Sequence, residues 1–243
     1  MKKLFIANWK MQLDYNGSLA LAKLYQKNLK KVKNEIVIAP DFTALSALKE
    51  ILKKSPLKLG AQDCAFGLKG AYTGEVSAKS LKQLGVKYVL IGHSERRGYF
   101  KEDSGLLKFK IAAALENGLV PVLCIGENLT AHKTKKAHAV LRRQLEEVLF
   151  GMDISNDNSL VIAYEPIWAI GSGKAMASAE VEASHVFIKG VLAELIGQIP
   201  RVLYGGSVSA QNALDLLEWP NIDGLLVGGA SLKVDEFSKI VNV

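Results

Sequence analysis

The chain has 243 residues, 49% of them hydrophobic, with a formal charge of +7, a size that matches the roughly 250 residues of a (β/α)8 barrel and predicts a single domain over residues 1–243. The start, Met1-Lys2-Lys3-Leu4-Phe5-Ile6-Ala7-Asn8, has too short an apolar run for a signal segment or a membrane span, which predicts a soluble, cytoplasmic protein without a membrane partner. The lysines are spread along helical stretches such as 23–33 and 101–110 and read as solvated faces, not as a track for a nucleic-acid partner.

In chain order, short apolar runs begin near Leu4, Glu35, Lys58, Tyr88, Val120, Leu160, Arg201 and Gly224. Helix-period segments fall between them, among others at 18–29, 104–117, 137–149, 177–195 and 210–217, several preceded by a Ser or Asn able to cap. Alternating β and α units imply parallel strands with right-handed crossovers. An open doubly wound sheet shares this alternation, but the first strand runs into Asn8-Trp9-Lys10 and not into a glycine-rich dinucleotide turn. The two cysteines, Cys64 and Cys124, sit in buried-looking segments and read as reduced thiols, and His132, His138 and His185 show no metal-ligand spacing.

In a parallel barrel the chemistry belongs at the C-terminal strand ends. There the chain carries Asn8 and Lys10, then His93 before Ser94-Glu95-Arg96-Arg97, then Glu127, then Glu165. Pro166 biases Glu165 toward an extended backbone and forces the chain out of the sheet as a loop, and Gly171 and Gly173 suit that loop to movement. A carboxylate beside a closable loop suits proton abstraction from carbon with water excluded. The pairs Gly205-Gly206 and Gly228-Gly229 follow the seventh and eighth strands, each at an expected helix start, and offer backbone N–H groups to a phosphate. Free N–H groups at the helix start after His93 would donate to its ring and keep it neutral, able to stabilise an enediolate. Lys10 would supply positive potential toward the same group. Glu95 and Glu127 read as ion-pair partners of Lys10 or Arg96. The 64–76 segment, from Cys64 to Val76, carries Phe66, Leu68 and Tyr72 and is more apolar than a free loop, which predicts contact with another chain.

These segments together resemble the triosephosphate isomerase family: Ala7-Asn8-Trp9-Lys10-Met11, Gly70-Ala71-Tyr72-Thr73-Gly74-Glu75, Ile91-Gly92-His93-Ser94-Glu95-Arg96-Arg97, Cys124-Ile125-Gly126-Glu127, the 163–173 run, Tyr204-Gly205-Gly206-Ser207-Val208 and Gly228-Gly229-Ala230-Ser231-Leu232. They span the chain in the family's order. The resemblance implies a TIM barrel that interconverts dihydroxyacetone phosphate and glyceraldehyde 3-phosphate through an enediolate, without cofactor or metal. It implies Glu165 as base and His93 as neutral electrophile, a pairing established for the family. Asn8 and Lys10 would bind and polarise the substrate, and Gly171, Ser207, Gly228 and Gly229 would hold its phosphate. It further implies a homodimer in which the 64–76 loop, with Thr73 near its tip, reaches Asn8 and Lys10 of the partner. The chain departs from the usual pattern at Asp63, where Asn is common, at Ser172, where Thr is usual, and at Lys174-Ala175-Met176, where Thr-Ala usually follows the Lys. Met176, bulky for a hinge, is expected to affect loop opening and not chemistry.

Overall fold

The computed structural model of the chain describes residues 2–154, 159–171 and 175–243. Eight parallel strands close on themselves in sequence order: β1 (Leu4–Asn8), β2 (Glu35–Ala39), β3 (Lys58–Ala61), β4 (Val86–Ile91), β5 (Val120–Ile125), β6 (Val161–Tyr164), β7 (Arg201–Tyr204) and β8 (Gly224–Val227). Closure is made by β1 pairing with both β2 and β8, with Leu4 opposite Glu35 on one side and Gly224 on the other. The open doubly wound alternative is thereby excluded. The strands are short, apolar and buried along nearly their whole length, as expected where side chains of alternate residues face a filled barrel and a helical outer layer.

That alternation produces two cores. Leu4, Ile6, Val37, Tyr88, Leu90, Val122, Cys124, Val161, Ala163, Leu203 and Leu226 fill the barrel interior, whereas Phe5, Ala7, Ile36, Ile38, Val89, Ile91, Leu123 and Ile162 pack outward. The outer layer is built from α1 (Tyr15–Asn28), α2 (Leu45–Leu52), α3 (Ala78–Gln83), α4 (Ser94–Tyr99), α5 (Ser104–Glu116), α6 (Leu129–Lys133), α7 (Ala137–Leu149), α8 (Ser178–Ile196), α9 (Ala213–Leu217) and α10 (Val234–Val241). Asp14, Ser77, Asp103 and Asn128 cap their helices by accepting backbone N–H groups. Gly197 ends α8 in the left-handed conformation.

Three expectations shift. The fourth strand starts at Val86, before Tyr88, and the 210–217 helix shortens to α9, because Ser209 and Asn212 tie the preceding loop in a local turn. Lys110, expected on a solvated face, is buried within α5, where it pairs with Asp63 at 2.7 and 2.8 Å and with Glu102 at 2.6 Å. Arg96 joins the same group through Asp63 and Glu102. Two acids and two bases thus balance under the 64–76 loop, and burial pushes Asp63 up to about 6 against the pull of Lys110. Cys64 and Cys124 are buried free thiols, and burial pushes Cys64 up to about 12.

Candidate active site

At the C-terminal mouth of the barrel a cavity of about 290 Å³ gathers Asn8, Lys10, His93, Glu165, Ile170, Gly171, Gly205, Gly206, Ser207, Val208, Leu226, Gly228, Gly229 and Ala230. Asn8, Lys10, His93, Glu165, Gly171, Ser207, Gly228 and Gly229 therefore line one space, whereas Glu127, from the fifth strand end, does not. Ser172, Gly173 and Lys174, part of the loop expected to move, lie outside the described residues.

Glu165 leaves the end of β6 with its N–H bonded to the carbonyl of Ile125 at 2.7 Å. Its position depends on two glycines. A Cβ on Gly126 would lie 1.7 Å from the Glu165 carbonyl oxygen, and one on Gly205 would lie 3.0 Å from its Cγ. The loops after β5 and β7 can approach the base only because those side chains are absent. The carboxylate is buried, 2% exposed, with one oxygen 3.0 Å from His93 Nε2 and the other accepting the Ser94 N–H at 3.1 Å.

His93 stands at the N-terminus of α4 and accepts the Glu95 N–H at Nδ1, 3.3 Å away. That bond suits a neutral ring with its proton on Nε2. The expectation that the helix start alone sets the protonation state needs correction. Burial opposes protonation, but the charge of Glu165 and its hydrogen bond, reinforced by Glu95, outweigh burial and raise the His93 pKa above its ordinary value. The neighbouring carboxylate, absent from any local reading of the sequence, is the reason.

Lys10 has φ of 51°, a left-handed backbone that a lysine adopts only under constraint. Its N–H is held by Asn8 Oδ1 at 3.0 Å and its carbonyl by Gln62 Nε2 at 2.8 Å. The ammonium then bonds Glu95 at 2.6 Å, the partner expected for it. Glu127 behaves differently from expectation: it is buried, and it accepts from Trp168 Nε1 at 2.8 Å and from the Tyr164 hydroxyl at 3.3 Å instead of pairing with Lys10 or Arg96. Met176 is likewise no free hinge residue. It is buried, with its Sδ 3.6 Å from the Tyr164 hydroxyl and its N–H 3.4 Å from the Tyr204 hydroxyl.

The two glycine pairs also differ from each other. Gly228 precedes the 3-10 turn Gly229–Leu232, whose first N–H groups have no acceptor within the turn, whereas Gly205-Gly206 leads into a loop pinned by Asn212, which donates to the Ser207 carbonyl at 3.0 Å. Of the residues given no role in the sequence, Gln62 acts through its side-chain amide on the Lys10 carbonyl, whereas Ser94, Gly126 and Leu226 act by backbone or by shape and their side-chain types carry no local signal.

A buried carboxylate, an imidazole, an ammonium and backbone N–H groups converging on a small cavity suit proton transfer on a small anion. Comparison with known proteins agrees. The family model described as triosephosphate isomerase matches residues 3–243. The chain belongs to the triosephosphate isomerase family. It is 43% identical to the triosephosphate isomerase of Dehalococcoides mccartyi strain CBDB1 over 99% of this chain and 96% of that protein. It is 44% identical to the triosephosphate isomerase of Geobacter metallireducens over 97% of this chain and 96% of that protein. A crystal structure of triosephosphate isomerase from Bartonella henselae superposes with a TM-score of 0.90 at 37% identity, covering 99% of this chain and 98% of that one. As a member of the triosephosphate isomerase family the chain is an aldose–ketose isomerase of glycolysis.

Proposed function

We propose that Glu165 is the base that carries a proton between the two carbons of the triose phosphate. His93 donates from Nε2 to the substrate oxygen, Asn8 and Lys10 bind beside it, and Gly171, Ser207, Gly228 and Gly229 hold the phosphate. The reaction is the interconversion of dihydroxyacetone phosphate and D-glyceraldehyde 3-phosphate through an enediolate. The scheme asks for no cofactor and no metal, because the proton taken from one carbon returns to the other. The observation that carries it is the placement of Glu165 and His93 against each other in the cavity that the glycine loops share.

The geometry supports an order of events. Both oxygens of Glu165 are engaged by His93 and the Ser94 N–H, so the carboxylate must turn from them to reach a carbon acid. When it turns, the charge that raised the His93 pKa moves away. Burial and the Glu95 N–H then favour the neutral ring, which is the form suited to donate to an oxyanion. Energy from binding the unreactive phosphate can drive that rearrangement.

The test is Glu165→Gln, which keeps shape and hydrogen bonding but removes basicity. Turnover of dihydroxyacetone phosphate in a coupled assay is expected to fall by about 10²- to 10⁴-fold, with the melting temperature little changed. Near-normal turnover overturns the assignment.

One domain spanning residues 1–243 carries the site, and the protein works as a homodimer in the cytoplasm. Support for the dimer comes from exposed apolar side chains. Phe66 and Tyr72 pack edge to face at 4.9 Å and with Leu68 remain exposed, as do Met11 at 91%, Tyr99 at 80% and Phe100. Exposed aromatic and apolar side chains concentrated on the 64–76 loop, directly after Lys10 and at the end of α4 suit burial against a second copy. The 64–76 loop, led by Thr73, is the segment that reaches Asn8 and Lys10 of the second copy. Light scattering at micromolar concentration is expected to report a dimer, and a fully active monomer overturns that reading.

A further inference from the structure

We propose that Tyr25, on α1 and outside the cavity, is a positioning residue for the phosphate of the substrate: acting through Ser231, it presets the peptide between Gly228 and Gly229. This deepens the reading of Gly228 and Gly229 as residues that hold the phosphate, and it rests on that reading. Two consecutive glycines leave the peptide between them free to turn, because neither carries a Cβ that restricts it. The surroundings leave that freedom open at Gly229, where a Cβ would meet nothing within 4 Å. Something else must fix the peptide if its N–H is to stand ready for an anion.

Ser231 supplies that hold. The Gly228 carbonyl accepts two bonds from it, one from the backbone N–H at 2.8 Å and one from Oγ at 2.7 Å. The peptide is trans, and a trans peptide directs its C=O and its N–H to opposite sides. With the Gly228 carbonyl drawn back to Ser231, the Gly229 N–H is therefore turned away from Ser231, on a residue that lines the cavity. A donor fixed before its ligand arrives costs less to order when the ligand binds.

Ser231 is itself held from behind. It is fully buried, and its carbonyl accepts the Tyr25 hydroxyl. The Tyr25 ring is fully buried too, stacked on Phe237 of α10 at 5.1 Å and 5° and edge-on to Trp9 at 5.6 Å and 83°. Trp9 stands between Asn8 and Lys10 in the chain, and α10 packs against both α1 and the turn that holds Ser231. The hydroxyl is thus anchored to side chains that close packing keeps in place. Burial pushes its ionisation far up, so it stays a donor.

Packing against Phe237 and Trp9 calls only for the ring, so the role of the hydroxyl lies in the bond it makes. Without it the Ser231 carbonyl loses a buried partner and the turn loses its tie to α1. The consequence falls on the grip of the phosphate. Glu165 and His93 touch neither Tyr25 nor Ser231, and their own contacts stay as they are.

The experiment compares the wild-type enzyme, Tyr25→Phe and Ser231→Ala in three measurements: kcat/KM for D-glyceraldehyde 3-phosphate, kcat/KM for D-glyceraldehyde, which lacks the phosphate, and competitive inhibition by inorganic phosphate. Tyr25→Phe keeps both ring contacts and is expected to fold, with a melting temperature lowered by about 2–4 °C. Its kcat/KM for the phosphorylated substrate is expected to fall about three- to tenfold, the scale of one hydrogen bond, and its inhibition constant for inorganic phosphate to rise by a similar factor. Its kcat/KM for D-glyceraldehyde is expected to be unchanged. Ser231→Ala, which removes the Oγ bond to the Gly228 carbonyl, is expected to show the same split between the two substrates. An equal loss on both substrates makes Tyr25 a structural residue and overturns the proposal, as does an unchanged inhibition constant in Tyr25→Phe. Failure of the phosphate reading shows separately, as a wild-type enzyme that inorganic phosphate does not inhibit competitively, and it takes the proposal with it.

Discussion

At the N-terminal mouth of the barrel, Glu35 accepts from Lys58, from Tyr88 at 2.7 Å and from Arg201 at 2.9 Å. At the C-terminal mouth, Glu165 faces His93 at 3.0 Å and a single backbone N–H. Both are carboxylates at strand ends of one sheet, yet their surroundings send them in opposite directions. Burial of Glu35 disfavours its charge, but the bonds from Lys58, Tyr88 and Arg201 outweigh that and hold its pKa down at about 2. Its proton affinity is spent on structure. Among the described residues Glu165 has no lysine or arginine bound to it, and it sits beside an imidazole and opens onto a cavity. The contrast teaches that cations saturate a carboxylate into a structural clasp, whereas one left beside an imidazole and a cavity stays free for the base role proposed for Glu165.

The sharpest way to break this contrast is at Lys10. Lys10→Met removes the ammonium from the functional mouth while leaving the strands intact. A charge-assisted contact to an anion is worth about 1.5–3 kcal/mol, so kcat/KM is expected to fall about 10- to 150-fold. The melting temperature is expected to hold, because the Lys10–Glu95 pair is part-exposed and adds little. A large loss of stability with unchanged kcat/KM would place Lys10 with the structural carboxylate and not with the site.

The converse change is Glu35→Gln. It leaves Lys58, Lys87 and Arg201 around a neutral amide and is expected to cost about 1–3 kcal/mol in chemical denaturation, with kcat/KM unchanged. The pH dependence supplies a sign. Because the folded pKa of Glu35 lies below its ordinary 4.5, its contribution is present above that value and is lost as pH falls from about 4.5 to 2. Wild type is expected to lose stability across that window more steeply than Glu35→Gln. Equal slopes would mean that the clasp at the closed mouth contributes nothing at neutral pH.

Much of the architecture was legible along the chain. The eight apolar runs coincide with the strands to within about two residues, because a strand buried on both faces must be apolar throughout and its ends are marked by charge, proline or glycine. The residues Asn8, Lys10, His93 and Glu165 were legible for the same reason: polar side chains directly after such runs stand at the barrel mouth. Helix bounds were less exact where a side chain, as at Asn212, competes for the backbone.

What the chain order could not supply were the partners of those residues. Glu127 turned from Lys10 to Trp168 and Tyr164, Lys110 went inside to meet Asp63 and Glu102, and His93 came under the charge of Glu165. Each outcome depends on distances between segments far apart in sequence, and Coulomb interactions and desolvation are set by those distances and not by residue order. Periodicity and composition by themselves determined that this protein would be alternating β and α units with parallel strands and polar strand ends, since burial is a property each segment expresses locally, and closure into a ring came only with the pairing of β1 and β8. Only the closed barrel decided which carboxylate is saturated by cations and which is left against an imidazole, since that requires bringing eight strand ends to one place.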